Sequence, residues 1–408
     1  MEMRGRRWDQ SLPVLLDGYA WLPGLRRAAD SDVVRTRVMG KPALVLCGPE
    51  AARFFYDEKH VLRSGAIPSP VLSTLFGHGA VHTLDGDAHR RRKALFQSAV
   101  TRDSTAALVS SVAAAWEDTV VGWRAGRPVV LFDEASRALT AGVRRWAGLP
   151  VATHDVGDLA ADLVAMVDGF ATAGPRHWRA RQARKRREAW LGALVEQVRH
   201  NEFDAQHGSA LEVVAGHRDA DGEPLDPHTA AVELLNFIRP TVAVCWFVAY
   251  AGHALHRWPR HREPLKAGGD FAVAFAHELR RFYPFAPFVG GRAAEDLTWR
   301  GEQVPAGSLV LLDLYGQNHD GHLWTDPYRF DPHRFLGREI GQWDLVSQGA
   351  GDPHTGHRCP GEPFTVSVLA ELCTRLAHQD YEVPDQDLTI SLSRVPARPR
   401  SGVVLVPR

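Results

Sequence analysis

Four cysteines in 408 residues, Cys47, Cys245, Cys359 and Cys373, stand far apart with no CxxC pair. That excludes the disulfide framework of a small secreted domain and predicts reduced thiols. Neither sign of charge is in excess: 48 basic residues against 48 acidic ones give no reason to expect nucleic acid or an anionic membrane as the main partner. Long apolar runs are lacking too; the nearest, Thr241 to Gly252, is too short to span a bilayer, so no membrane anchor is expected. The opening stretch MEMRGRRWDQSLPVLLDGYAW is basic, but its apolar run is short and broken by Pro13 and Asp17, unlike a signal peptide. No low-complexity linker and no internal repeat marks a boundary. Residues 1-408 therefore read as one soluble, cytoplasmic domain.

What is present is a large apolar fraction, 45%, ample for a sizeable core. Early on, VVRTRVMGKPALVLCG has the β-branched content and punctuation of strand, turn and strand. Apolar residues at three- and four-residue spacing then predict helices over Ala106 to Ala125, Val156 to Thr172, His177 to His200 and His228 to His256. Later, RAAEDLTWRGEQVPAGSLVLLDL alternates short strand-like runs with turns, and the tail DLTISLSRVPARPRSGVVLVPR predicts another strand pair. The fold class is mainly α with small β-sheets.

Three stretches carry chemistry. In NFIRPTVAVCWF, Asn236 to Phe247, an arginine and a proline interrupt an apolar helix. An unpaired guanidinium is very costly to bury because it cannot shed its proton, and an interior proline removes a backbone hydrogen bond at about 3 kcal/mol. In GHRCPGE, Cys359 follows His357 and Arg358 and precedes a helix start, a setting that favours thiolate over thiol. A lone cysteine is more often a small core hydrophobe, and a zinc site from His354, His357 and Cys359 lacks a fourth ligand at suitable spacing. In HELRRFYP, Glu278 and Arg281 form an E-x-x-R pair on one helix face, and Arg334 of DPYRFDPHRF, further on, could complete a buried ion network.

In that order, the E-x-x-R pair, the later arginine and the cysteine loop resemble the cytochrome P450 family. The resemblance implies the P450 fold, structural roles for Glu278, Arg281 and Arg334, and a haem b (iron protoporphyrin IX) whose iron is ligated by Cys359. Ordinary P450 monooxygenases carry an acid–alcohol pair on the central helix to relay protons. Here Arg239-Pro240 holds that place, and no carboxylate occurs between Glu233 and Glu263. A fatty acid would supply the missing acid, its carboxylate pairing with Arg239. Pro240 would bend the helix to make room.

The pattern is similar to one P450 branch, the bacterial fatty-acid peroxygenases and decarboxylases. The similarity is carried by LFGHGAVHTLDGDAH (Leu75 to His89), GPRHW (Gly174 to Trp178), IRP, FYPFAPF (Phe282 to Phe288), LLDLYGQNHD (Leu311 to Asp320) and GHRCPGE. The branch also has a longer glycine-rich loop before the cysteine, here QGAGDPHTGHRC, where the wider family has a Phe and a Gly at the positions of Asp352 and Thr355. By resemblance Arg239 is the carboxylate clamp, Pro240 its shaping neighbour and His82 a polar residue facing the haem. Phe76, Phe170 and Phe288 would line the acyl channel, core packing being their ordinary alternative. His89, Lys93 and His357 would meet the haem propionates, with Arg292 a further candidate, whereas Arg90 to Lys93 would otherwise read as a solvated charge run. The activity implied is peroxide-driven α/β-hydroxylation of long-chain fatty acids, or their oxidative decarboxylation to terminal alkenes. The expected partners are a long-chain fatty acid and hydrogen peroxide, with no nucleic acid and no obligatory redox partner. Two rivals are a conventional monooxygenase served by separate redox proteins and a non-catalytic haem-thiolate protein that binds fatty acids.

Overall fold

The computed structural model describes residues 9–150, 155–219 and 221–408; the first eight residues of the basic N-terminal stretch lie outside the described residues. The first hairpin pairs Val33–Val38 with Lys41–Leu46 in antiparallel register, Val38 opposite Lys41. Its two-residue turn is Met39-Gly40, both with positive φ (51° and 72°), the geometry that matches the twist of the strands and that glycine accepts freely. Pro42 lies one residue before Ala43, where parallel pairing with Leu309–Asp313 begins, so its missing N–H costs no ladder bond there. Phe288–Ala293 and Val61–Leu62 complete a five-stranded sheet. A second tight hairpin joins Leu297–Trp299 to Glu302–Val304.

The expected helices form as Arg102–Val121, Val156–Asp168, Pro175–Arg199 and the long central element Pro227–Arg257. The 31-residue central element is long and apolar enough to cross a membrane, yet 94% of its most apolar window is buried in protein. It packs on helices Leu131–Trp146, Pro175–Arg199 and Glu362–His378 and is the axis of the core. Pro240 deprives the Asn236 carbonyl of its helical donor, and regular helix stops at Val242 to resume at Val244.

The tail corrects an expectation. No strand pair forms within residues 387–408; only Val404–Pro407 is a strand, pairing outward with Val129–Val130 and Tyr381–Glu382. Pro396 and Pro399 cannot donate to a ladder, and that segment keeps a single isolated bridge, Ile390 to Pro399.

The E-x-x-R network is built as the residue order predicted. Helix Gly269–Phe282 carries Glu278 and Arg281, joined by two bonds at 2.7 and 2.8 Å with both side chains wholly buried. Arg334 Nε lies 3.2 Å from Glu278 Oε2, and the Asp331 amide donates to Oε1. Arg281 also donates to the Asn318 and Pro327 carbonyls, so the carboxylate and both guanidinium groups find partners inside the protein.

Candidate active site

Cys359 sits in the loop that precedes helix Glu362–His378. The loop is folded by local bonds: Asp352 accepts from the His354 amide and the Thr355 hydroxyl, and the Cys359 amide donates to the Gln348 carbonyl at 3.0 Å. Gly349 and Gly351 have positive φ (90° and 84°), and a Cβ at Gly351 would stand 2.8 Å from the Trp343 ring; hence the glycines of QGAGDPHTGHRC. Gln348 Nε2 approaches Sγ at 3.8 Å. The thiolate argument from the sequence needs correction. Arg358 is spent on Glu362, 2.7 Å away, and His357 turns to Glu58 at 3.1 Å. Burial is then the largest influence and pushes the Cys359 thiol up, the Gly361 amide and the Lys93 charge only partly offsetting it. The chain alone does not make Cys359 an anion; a metal on Sγ would.

Beside it, His89 of helix Gly86–Ala99 stacks on His357 with ring centroids 3.9 Å apart. Lys93 Nζ donates to the Gly356 carbonyl and, at 2.8 Å, to that of Arg358, so the structure joins His89, Lys93 and His357 at the cysteine loop. Arg292 lies further round, packed on Gly65. The Arg63 and Ser64 amides just before that glycine bind Asp85, which is 3.8 Å from His357. Among groups the sequence did not single out is Glu58: it meets His357 and lies 3.9 Å from His89.

Arg239 is buried, and among the described residues no carboxylate stands within ion-pairing distance of it. Its one side-chain bond is Nη2 to Asn236 Oδ1 at a long 3.4 Å, and its Nε has no partner. Burial pulls its pKa down to about 9, and the buried Arg184 adds a like charge. Its guanidinium lies 6.0 Å from the Phe76 ring, and Phe76 in turn lies 4.5 Å from the His82 ring. Burial and the Arg239 charge hold the pKa of His82 down at about 3, so the imidazole is neutral. Arg239, Phe76 and His82 are therefore neighbours. Phe170 packs between the helical core and the Tyr19 cluster. Phe288 packs on Trp21 and the sheet-side core. Phe285, three residues earlier, is the aromatic of FYPFAPF that reaches Trp246 and Phe247 of the central helix. Its period-3 offset from Phe288 on an irregular, proline-flanked segment hid that from sequence reasoning.

With this geometry in view, the comparisons are specific. The cytochrome P450 family model matches residues 271–376, the span of the E-x-x-R helix and the cysteine loop. The solved structure of cytochrome P450SP alpha in complex with (R)-ibuprofen is 39% identical, covers 98% of each chain and superposes at a TM-score of 0.95. This chain is a cytochrome P450. Cytochrome P450 OleT, ligand-free, is 36% identical over 98% of this chain and 96% of its own, at TM-score 0.94. Cytochrome P450EX alpha with myristic acid is likewise 36% identical, at 0.93. By these neighbours the P450 falls in the fatty-acid peroxygenase branch. More distant is the cyclooctat-9-en-7-ol 5-monooxygenase of Streptomyces melanosporofaciens, 23% identical across 86% of this chain and 82% of its own.

The P450 fold implies haem, and the residues present fit it. Among the buried polar atoms that find no hydrogen-bond partner in the described residues are His82 Nδ1, His89 Nδ1, Arg239 Nε and Arg292 Nε. They suit a site that receives a group bearing carboxylates, together with a second anion at Arg239.

Proposed function

We propose that this P450 is a haem-thiolate peroxygenase that uses hydrogen peroxide to hydroxylate long-chain fatty acids at Cα or Cβ or to decarboxylate them to terminal alkenes. The observation that carries the reading is Arg239, a buried guanidinium with no carboxylate beside it among the described residues. A fatty-acid carboxylate supplies the missing charge through a bidentate bond, with the acyl chain against Phe76 and the neighbouring aromatics, Phe170 and Phe288 lying further along its path.

When bound through Cys359, haem b supplies an iron whose thiolate ligand favours cleavage of the peroxide O–O bond and oxidation of a nearby C–H bond. The chain's own residues do the rest. His89, Lys93 and His357, with Arg292 at the margin, hold the propionates. Arg239 fixes the carboxylate so that Cα and Cβ are the carbons presented for reaction. Pro240 shapes the helix around that carboxylate. The held carboxylate takes the place of the absent acid side chain, accepting a proton from peroxide and returning it to the oxygen that leaves as water. Neutral His82 offers one hydrogen bond on the reacting side and biases hydroxylation against decarboxylation. The 408 residues act as one cytoplasmic catalytic unit that needs no redox partner.

The test is turnover of a long-chain acid with hydrogen peroxide alone. Product without any reductase is expected; activity only with NAD(P)H and redox proteins would favour the monooxygenase rival, and ligand-induced spectral change without product the binding-protein rival. The ferrous–CO complex should show the strongly red-shifted Soret band of thiolate ligation, and Cys359→Ala should abolish it.

A further inference from the structure

Glu233, where the acid-free stretch of the central helix begins, is 0% exposed and is bonded to two other elements and to its own helix. Its Oε1 accepts from the Val81 amide at 2.8 Å and from Arg92 Nη1 at 2.9 Å. Its Oε2 accepts from Asn236 Nδ2 at 3.2 Å. Val81 is the residue before His82. Arg92 lies on the helix of His89 and Lys93. Asn236 gives its amide protons to Glu233 and to the Phe76 carbonyl, 3.1 Å away, which leaves Oδ1 as the atom facing Arg239 Nη2 at 3.4 Å.

The geometry points to Glu233 as a positioning residue that sets the placement of His82 relative to Arg239, and with it which carbon of the acyl chain is presented and how the product divides. This rests on Arg239 being the carboxylate clamp. Any carboxylate buried this completely needs several donors; what distinguishes this one is where its donors lead. Here the other two donors end next to the two polar groups flanking the substrate head. The contact from Asn236 is also, among the described residues, the one hydrogen bond to the Arg239 guanidinium. His82 has no hydrogen-bond partner at Nδ1 among the described residues, so its ring is placed by packing on Phe76 and by the backbone that the Val81 amide ties to Glu233. A displacement of about 1 Å at a reacting group can change a rate by about a hundredfold, so slack in this carboxylate would be felt at the substrate.

The experiment uses the full-length holoprotein with Glu233→Gln, which keeps shape and removes the charge that holds Arg92. Affinity for a long-chain fatty acid is read from the haem spin-state change, and the α-hydroxy, β-hydroxy and alkene products are quantified with peroxide. Haem content and the ferrous–CO band should match wild type, affinity should weaken about tenfold, and the product distribution should shift. Asn236→Ala cuts the arm to Arg239 alone and decides the matter should Glu233→Gln fail to load haem; it too should weaken binding and move the products. A haem-loaded Glu233→Gln, or Asn236→Ala in its place, with wild-type affinity and wild-type product distribution overturns the inference. Arg239→Leu in the same titration separates the two readings. If it keeps wild-type affinity, the clamp falls and this inference with it. If it loses affinity while Glu233→Gln changes nothing, only the role of Glu233 falls.

Discussion

Two buried arginines of this P450 solve the same desolvation problem in opposite ways. Arg281 meets Glu278 through two short bonds and spends its remaining donors on backbone carbonyls, and Arg334 closes the network. Arg239, also buried, has among the described residues one long side-chain bond, to an amide oxygen, and an orphaned Nε. The first arrangement is complete without any ligand and holds the fold together. The second leaves the guanidinium without a countercharge among the described residues, which the proposed carboxylate would supply. A buried charge reports structure when its partners are internal and binding when they are missing.

The comparison breaks if the two arginines respond alike to removal. Arg281→Leu strips the buried Glu278 of its two shortest charged bonds and leaves it only Arg334 and the Asp331 amide, a loss of about 3–5 kcal/mol. The expected outcome is loss of soluble, haem-loaded protein, checked by expression yield and thermal unfolding. Arg239→Leu deletes a charge with no internal partner, so its melting temperature should equal or exceed that of wild type. A large drop there would mean that Arg239 is structural after all. A smaller effect sharpens the picture. Because burial holds His82 down at about pKa 3, its neutral form persists between pH 5 and 8, and the ratio of hydroxy acid to alkene should stay flat as far as His82 governs it. A switch in that ratio centred near 6.5, removed by His82→Gln, would contradict the buried placement. The sign for stability runs the other way from a salt-bridged histidine: the unfolded chain binds this proton first, so the His82 contribution is lost as pH falls from 6.5 toward 3.

Much of this was legible in the sequence because the signals were either periodic or ordered. The helices followed from apolar spacing, and the E-x-x-R pair, Arg334 and Cys359 declared themselves by their order along the chain. Arg239 was legible because a guanidinium and a proline in an apolar helix contradict local propensity. The parts that were not legible depend on side chains meeting across distant elements. Glu58 reaches His357 across 299 positions, and Glu233 reaches Val81 across 152; no spacing rule announces such pairs. Yet Glu233, Asn236 and Arg239 stand at i, i+3 and i+6 on one helix face, a pattern visible in advance to a reader who asked what would hold the arginine. The electrostatics of Cys359 were misjudged for a related reason: Arg358 and His357 are neighbours in sequence but are turned to Glu362 and Glu58, so burial prevails.

The most direct test of the clamp is a fatty-acid titration of the haem-loaded wild type and Arg239→Leu, with the methyl ester of the same acid run in parallel. Loss of a charge-assisted bidentate bond, about 1.5–3 kcal/mol, predicts affinity roughly ten- to a hundredfold weaker for the acid in Arg239→Leu. It also predicts that in the wild type the ester binds as weakly as the acid does in the variant. Equal affinity of acid and ester for the wild type, or an unchanged affinity for the acid in Arg239→Leu, would contradict it.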